Sequence, residues 1–270
     1  MKKIVAALAA AGLMLAGAAA YALAAEEGEG HSEAEPTHFP ILHPEQESWS
    51  FAGPFGTYDK AQLQRGLKVY KEVCSACHSM KLVPFRELEG LGYSEAQVKA
   101  FAAGYTIQDG PNDEGEMFER PGLPFDHITG PFPNEQAAAA ANGGKAPPDL
   151  SLMAKAREGG ERYIYSVLTG YEEEPPADVQ VPEGGHYNAF FPGHVIAMPP
   201  PLSPDQVTYA DGTPGTVQQM AQDVAQFLGW AAEPKLEDRK GMGIKVILFL
   251  VVLTGLTFAL KRKIWADIPH

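Results

Sequence analysis

The sequence predicts a mainly α protein, built of short helices and long Pro/Gly-rich loops and closed by one C-terminal transmembrane helix. Three observations predict it. Apolar residues recur at helical spacing behind capping signals, as in Leu63, Leu67 and Tyr70. The 23 Pro and 28 Gly exceed average usage of about 5% and about 7%, and they fall mostly between those helical stretches. Met242 to Leu260 is apolar over 19 residues apart from Lys245. At a rise of about 1.5 Å per residue that stretch matches the thickness of a bilayer core.

Cys74-Ser75-Ala76-Cys77-His78 explains why the chain tolerates so much loop. C-x-x-C-H is the attachment signal of a c-type haem, and a chain that wraps a large apolar cofactor needs less side-chain core. On a helix the two thiols lie on one face and form thioethers with the vinyl groups of one porphyrin. His78 follows one turn after Cys74 and offers an imidazole nitrogen to the iron. The competing readings are a redox C-x-x-C pair or half of a zinc site. Zinc would need further Cys or paired His ligands, and the chain has no other cysteine.

From the N-terminus, Met1-Lys2-Lys3 is a positive leader to an apolar stretch, Ile4 to Ala20, with a small-x-small site at Ala22-Leu23-Ala24. Residues 1–24 are therefore a cleaved bacterial secretory signal, with an uncleaved anchor as the alternative. Export fits a c-type haem, which is attached outside the bacterial cytoplasm. Residues 25–48 are acidic, with no Lys or Arg from Glu26 to Glu47 and no periodicity, and are expected to be flexible. Their His31, His38 and His43 have no chelate spacing and are expected to be solvated.

Residues 49–232 form the expected haem domain. Asp59 and Gln62 make a capping-box pattern, Tyr58 and Leu63 a hydrophobic staple. Leu63, Leu67, Tyr70, Cys74 and Cys77 then place the motif on the buried face at the end of a helix. Ser94 with Gln97 opens a second helix that stops at Gly104. Residues 105–133 are expected to be loop. Asn134 caps an Ala-rich helix over Ala137 to Ala141, a helical region runs through Met153, and Arg162 to Leu168 makes another helix. Val181 to Asp211 is expected to be loop again. Thr216 with Gln219 opens a strong amphipathic helix carrying Met220, Val224, Phe227 and Leu228, interrupted at Pro234.

Residues 233–262 are the anchor and 263–270 a cytoplasmic tail. Cations flank the span on both sides, so the positive-inside count does not orient it. The export signal and the haem do, placing the domain on the periplasmic side of the inner membrane. The formal net charge of −13 argues against nucleic acid and suits either a basic partner or plain solubility.

The sixth iron site has several candidates: Met117, Met153 and Met198, with His127, His186 and His194 as rivals. Met198 is preferred because Met198-Pro199-Pro200-Pro201 is stiff and cannot join a helix or sheet. His/Met ligation raises the potential relative to two histidines. For the propionates, Arg120, Lys145, Arg157 and Arg162 are candidate partners.

Together these stretches resemble the cytochrome c1 family, the haem subunit of the quinol–cytochrome c oxidoreductase (cytochrome bc1) complex. The resemblance runs from about Trp49 to Trp265 and rests on Arg65-Gly66, Val69-Tyr70, Val73-Cys74 and Cys77-His78. It continues through Gln108-Asp109-Gly110-Pro111-Asn112, Asn142-Gly143-Gly144, Pro147-Pro148-Asp149-Leu150-Ser151 and Leu168-Thr169-Gly170-Tyr171, then Tyr187-Asn188, Met198-Pro199-Pro200, Asp211-Gly212-Thr213-Pro214 and Trp230-Ala231-Ala232-Glu233-Pro234. It implies haem c held by Cys74 and Cys77, with His78 and Met198 as axial ligands. It further implies Arg157 near a propionate, with Tyr163 and Asn142 close to the pocket. The acidic 26–47 stretch has no counterpart in the resemblance, and the chain lacks the extra disulfide of some bacterial members.

The resemblance implies a one-electron relay from a Rieske iron–sulfur protein to a soluble basic cytochrome c, beside a cytochrome b subunit in a dimeric complex in the lipid bilayer. The chain would not be an enzyme on its own. The alternative is a membrane-anchored c-type cytochrome feeding a terminal oxidase or photosynthetic reaction centre.

Overall fold

A computed structural model describes residues 48–177 and 179–267. The expected signal, nearly all of the acidic segment with its three histidines, and the last residues of the tail lie outside the described residues.

The domain is organised on two helices that cross in its core. Helix α1, Lys60–Glu72, starts at Asp59, whose carboxylate accepts from the Ala61 and Gln62 N–H groups at 2.9 and 3.3 Å. Its stripe of Leu63, Leu67, Val69 and Tyr70 is buried, as the periodicity requires. Gly66 sits in the same stripe because the second helix passes there at backbone distance. A Cβ on Gly66 would overlap the Asp223 carbonyl oxygen and Phe227 Cβ. That second helix, α6 (Val217–Ala232), opens at Thr216, whose hydroxyl accepts from Gln219 N–H at 3.1 Å. It is buried nearly all round, because α1 covers one side while α4 (Met153–Ala156) and α5 (Glu161–Thr169) cover others. Arg65 on α1 reaches Asp223 of α6 at 2.9 Å and Asp211 at 3.0 Å, and Asp223 is fully buried.

The rest of the domain wraps this core. Helix α2, Glu95–Ala102, has the complete Ser94/Gln97 capping box. Helix α3, Glu135–Ala141, is capped by Asn134, which accepts from Ala137 N–H at 2.8 Å. A 3-10 segment at Phe85–Leu91 buries Phe85, Leu88 and Leu91.

Two stretches expected to be loop contain strands. Strand β1 (Met80–Pro84) pairs antiparallel with β4 (His127–Ile128), and β2 (Thr106–Asp109) with β3 (Phe118–Pro121). In the second stretch β5 (His186–Tyr187) pairs with β6 (Val195–Ile196). These strands have two to five residues and mixed burial, too short for apolar alternation to register in sequence. Side chains reinforce the β2–β3 pair. Arg120 on β3 bridges Asp109 on β2 and Asp126 in the following turn.

After the break at Pro234, helix α7 runs over Leu236–Ile264. It is long and apolar enough to cross a membrane, with mean hydropathy 2.3 and no burial against the domain over the apolar window. Glu237 and Asp238 in its first turn and Lys261, Arg262 and Lys263 in its last complement the helix dipole. Its start is fastened to the domain. Tyr58 N–H donates to Glu237 at 2.8 Å, Lys240 donates to the Phe51 and Gly56 carbonyls, and Leu236 is buried.

Candidate functional site

The cysteine motif leaves the helix before its first cysteine. Helix α1 ends at Glu72, Cys74–Ala76 is a 3-10 turn, and the N–H groups of Cys77 and His78 both return to the Cys74 carbonyl, at 3.1 and 2.9 Å. This corrects the expectation that the thiols continue the buried helical face, for both cysteines are only half-buried. The cause is local. The Ser75 hydroxyl donates to the Lys71 carbonyl at 2.7 Å, taking an acceptor at the helix end that a further helical N–H would use. The turn keeps Cys74, Cys77 and His78 together, which serves the same chemistry as a helical face. Burial pushes the Cys74 thiol up to about 12. A redox C-x-x-C pair needs the opposite shift, toward thiolate. Among the described residues no three His, Cys, Asp or Glu side chains gather as a metal-ion cluster, so the zinc reading lacks its remaining ligands.

A segment seventy positions downstream holds His78. Its Nδ1 is 2.7 Å from the Pro148 carbonyl oxygen. A carbonyl only accepts, so Nδ1 carries the proton and Nε2 is the nitrogen left for a metal. Burial lowers the His78 pKa, opposed by the Pro148 carbonyl and by Asp149. Asp149 ties the two segments together. Its carboxylate accepts from Ser79 Oγ at 2.8 Å, Lys81 N–H at 2.7 Å and Ser151 N–H at 2.9 Å. Burial works against the Asp149 charge, yet these hydrogen bonds outweigh it and hold the carboxyl below its ordinary range. Leu150 N–H to the Ser79 carbonyl, 2.9 Å, and Tyr70 Oη to the His78 carbonyl, 3.1 Å, complete the clamp.

The candidates for the sixth site lie in different settings, with His186 half-buried in β5. Met117 is 61% exposed beside the β2–β3 hairpin tip, and Met153 packs against the core at the start of α4. His127 is exposed in β4, and His194 is buried with Nδ1 3.3 Å from the Asn188 carbonyl. Met198 is half-buried in the polyproline stretch after β6, and its carbonyl accepts from Tyr171 Oη at 3.0 Å.

Of the propionate candidates, Arg120 is committed to Asp109 and Asp126, while Lys145, Arg157 and Arg162 are exposed. Arg157 lies in hydrogen-bonding contact with the Tyr163 phenol, whose pKa burial raises against the opposing guanidinium. The structure thus brings Arg157 and Tyr163 together. Asn142 ends α3 and turns its Nδ2 to the Ala138 carbonyl at 2.7 Å. Sequence reasoning missed Pro148, Asp149 and Tyr171 as supports. The available signal was Pro-Pro-Asp-Leu-Ser, a rigid segment ending in two short-range hydrogen-bonding side chains.

A model of the Cytochrome C1 family matches residues 49–268. The chain belongs to the cytochrome c1 family. It is 53% identical over 240 residues to the cytochrome c1 of Rhodospirillum rubrum, covering 83% of this chain and 88% of that protein. It is 49% identical over 227 residues to the mitochondrial cytochrome c1 heme protein of Saccharomyces cerevisiae, covering 84% and 74%. It is also 54% identical over 245 residues to the cytochrome b/c1 of Bradyrhizobium diazoefficiens, covering 83% of this chain but only 36% of that longer protein. Cytochromes c1 carry a covalently bound c-type haem and are a redox subunit of the cytochrome bc1 complex. The residues fit that group, with two thiols spaced on one turn and an imidazole whose Nδ1 is already occupied.

Proposed function

We propose that this cytochrome c1 chain relays single electrons from a Rieske iron–sulfur protein to a soluble, basic cytochrome c, beside a cytochrome b subunit in a dimeric complex. The observation that carries this reading is the Cys74–His78 turn, with the His78 ring fixed through Nδ1. Haem, when bound, takes up and gives back one electron at its iron. Cys74 and Cys77 would hold it by thioethers, and His78 and Met198 would ligate its iron, a pair that raises the potential relative to two histidines. Arg157 and Tyr163 offer a cation and a hydrogen-bond donor to a propionate, with Asn142 near the pocket. The surface acids, including Glu172-Glu173-Glu174, steer a basic partner. The name of the Bradyrhizobium relative, cytochrome b/c1, supports the cytochrome b partner.

Helix α7 anchors the domain on the periplasmic side of the bacterial inner membrane, with its C-terminus cytoplasmic. Its fastening to Tyr58 and to the Phe51 and Gly56 carbonyls supports a haem held at a set height above the bilayer. Purification of the chain in mild detergent tests the reading. Cytochrome b and a Rieske protein accompany it if the proposal is right. A complex containing an oxidase or a photosynthetic reaction centre in their place would favour the other carrier role.

A further inference from the structure

The geometry points to Tyr171 as a positioning residue that sets how firmly Met198 closes the sixth iron site, an inference resting on the proposed role of Met198 as axial ligand. Met198 precedes Pro199, Pro200 and Pro201, which have no N–H to donate. The stretch that would carry the ligand therefore cannot be anchored by its own backbone donors beyond Met198. Tyr171 supplies an anchor from outside: its Oη lies 3.0 Å from the Met198 carbonyl oxygen. The carbonyl only accepts, so the phenol donates.

Tyr171 is itself held in place. Its backbone bridges antiparallel to Asn188, and Ala189 N–H donates to the Gly170 carbonyl at 3.0 Å. Asn188 is fully buried, with Nδ2 donating to the Val167 carbonyl of α5 at 2.7 Å and Oδ1 accepting from Phe190 N–H at 3.1 Å. Asn188 N–H donates to the His194 carbonyl at 2.9 Å, which closes the β5–β6 hairpin. Strand β6 then runs directly into Ala197 and Met198. A continuous hydrogen-bonded frame thus leads from the end of α5, the helix that carries Tyr163, to both sides of the Met198 stretch. The phenol oxygen is the point at which that frame touches the ligand residue itself.

Without the Tyr171 hydroxyl, the closed position of the Met198 stretch loses one hydrogen bond while its open position loses none. The closed-to-open ratio should fall about fivefold, the factor that one net hydrogen bond sets. A ligand that competes for the same iron position reads this ratio directly, because its apparent affinity scales with the open fraction.

The test is an imidazole titration of the oxidised protein in its detergent-solubilised complex, with the sulfur-to-iron charge-transfer absorption and far-UV circular dichroism recorded alongside. Tyr171→Phe should bind imidazole about fivefold more tightly while keeping the charge-transfer absorption, because the closed form stays in large excess, with unchanged circular dichroism. Tyr93→Phe, which alters a phenol elsewhere in the core, should match wild type in all three. Met198→Leu provides the reference, losing the charge-transfer absorption and binding imidazole far more tightly. Wild-type affinity in Tyr171→Phe, with Met198→Leu affected, would overturn the role of Tyr171 alone. A Met198→Leu protein indistinguishable from wild type would overturn the ligand assignment and this inference with it. A Tyr171→Phe chain that does not fold would also overturn it, by making the phenol a determinant of the fold.

Discussion

The imidazole of His78 donates through Nδ1 to the carbonyl oxygen of Pro148 at 2.7 Å. This one bond fixes both the tautomer and the orientation of the ring, and it does so from a segment that never touches the cysteines in sequence. Asp149, the next residue, joins that segment to the one that carries His78 through two accepted hydrogen bonds, from Ser79 and Lys81, and a third from Ser151 holds its own turn. The account therefore predicts its strongest local sensitivity at Asp149 rather than at a residue of the motif itself.

Asp149→Ala leaves the N–H groups of Lys81 and Ser151 without their acceptor. The expected cost is about 2–3 kcal/mol, read as a lowered denaturant midpoint, together with a changed potential as the His78 ring loses its support. Asp149→Asn separates charge from shape. The Asp149 carboxyl lies below its ordinary range in the fold. Its contribution is therefore complete above the unfolded value of about 3.9 and disappears as pH falls through the lower folded value. Wild type should lose more stability than Asp149→Asn between about pH 4 and pH 2. Parallel curves for the two would contradict the assignment.

Gly66→Ala should be among the costliest single-methyl additions in the domain. Its Cβ would meet the Asp223 carbonyl oxygen and Phe227 Cβ, and backbone cannot step aside as a side chain can. Forcing α1 from α6 costs about 2–3 kcal/mol or more and displaces the helix that leads into Cys74. Thermal unfolding of the haem-loaded chain measures this, and an unchanged midpoint would show that the helices do not cross this closely.

Asp223 and Asp211 both pair with Arg65, yet their loss should be unequal. Asp223 is fully buried, while the Asp211 side chain is 46% exposed. Asp223→Ala removes the buried partner and leaves Arg65 only the exposed Asp211, and should cost about 2–3 kcal/mol. Asp211→Ala removes a solvent-screened partner and should cost much less. Chemical denaturation of the two variants compares them directly.

What the sequence revealed follows from how far apart the interacting residues lie. Asp59, Ser94, Asn134 and Thr216 each cap a helix within three residues of themselves, so α1, α2, α3 and α6 were readable locally. The Cys74–His78 turn was readable for the same reason, although its departure from the helix was not, because it depends on one bond from Ser75 to Lys71. The supports of the site bridge larger gaps: 70 residues for His78 and Pro148, and 27 for Tyr171 and Met198. A backbone carbonyl acceptor leaves no mark in residue type, so Pro147-Pro148-Asp149-Leu150-Ser151 signals a rigid segment without showing what it contacts. The β2–β3 hairpin escaped because Arg120 ties it to Asp109 and Asp126, without an alternating apolar face.

Electron transfer to a basic cytochrome c should slow as salt rises, since screening shortens to about 10 Å at 0.1 M ionic strength and the chain carries a net charge of −13. Stopped-flow oxidation of the purified complex over a salt series measures it. A second-order rate indifferent to salt would contradict steering by the acidic surface.

The covalent bond between Cys74, Cys77 and the haem is the claim on which the rest stands, and extraction of the purified, denatured chain with acidified acetone tests it most directly. The account predicts that the colour stays with the precipitated polypeptide, and that Cys74→Ala with Cys77→Ala releases it or never acquires it. Pigment passing into the acetone from the wild-type chain would contradict the account.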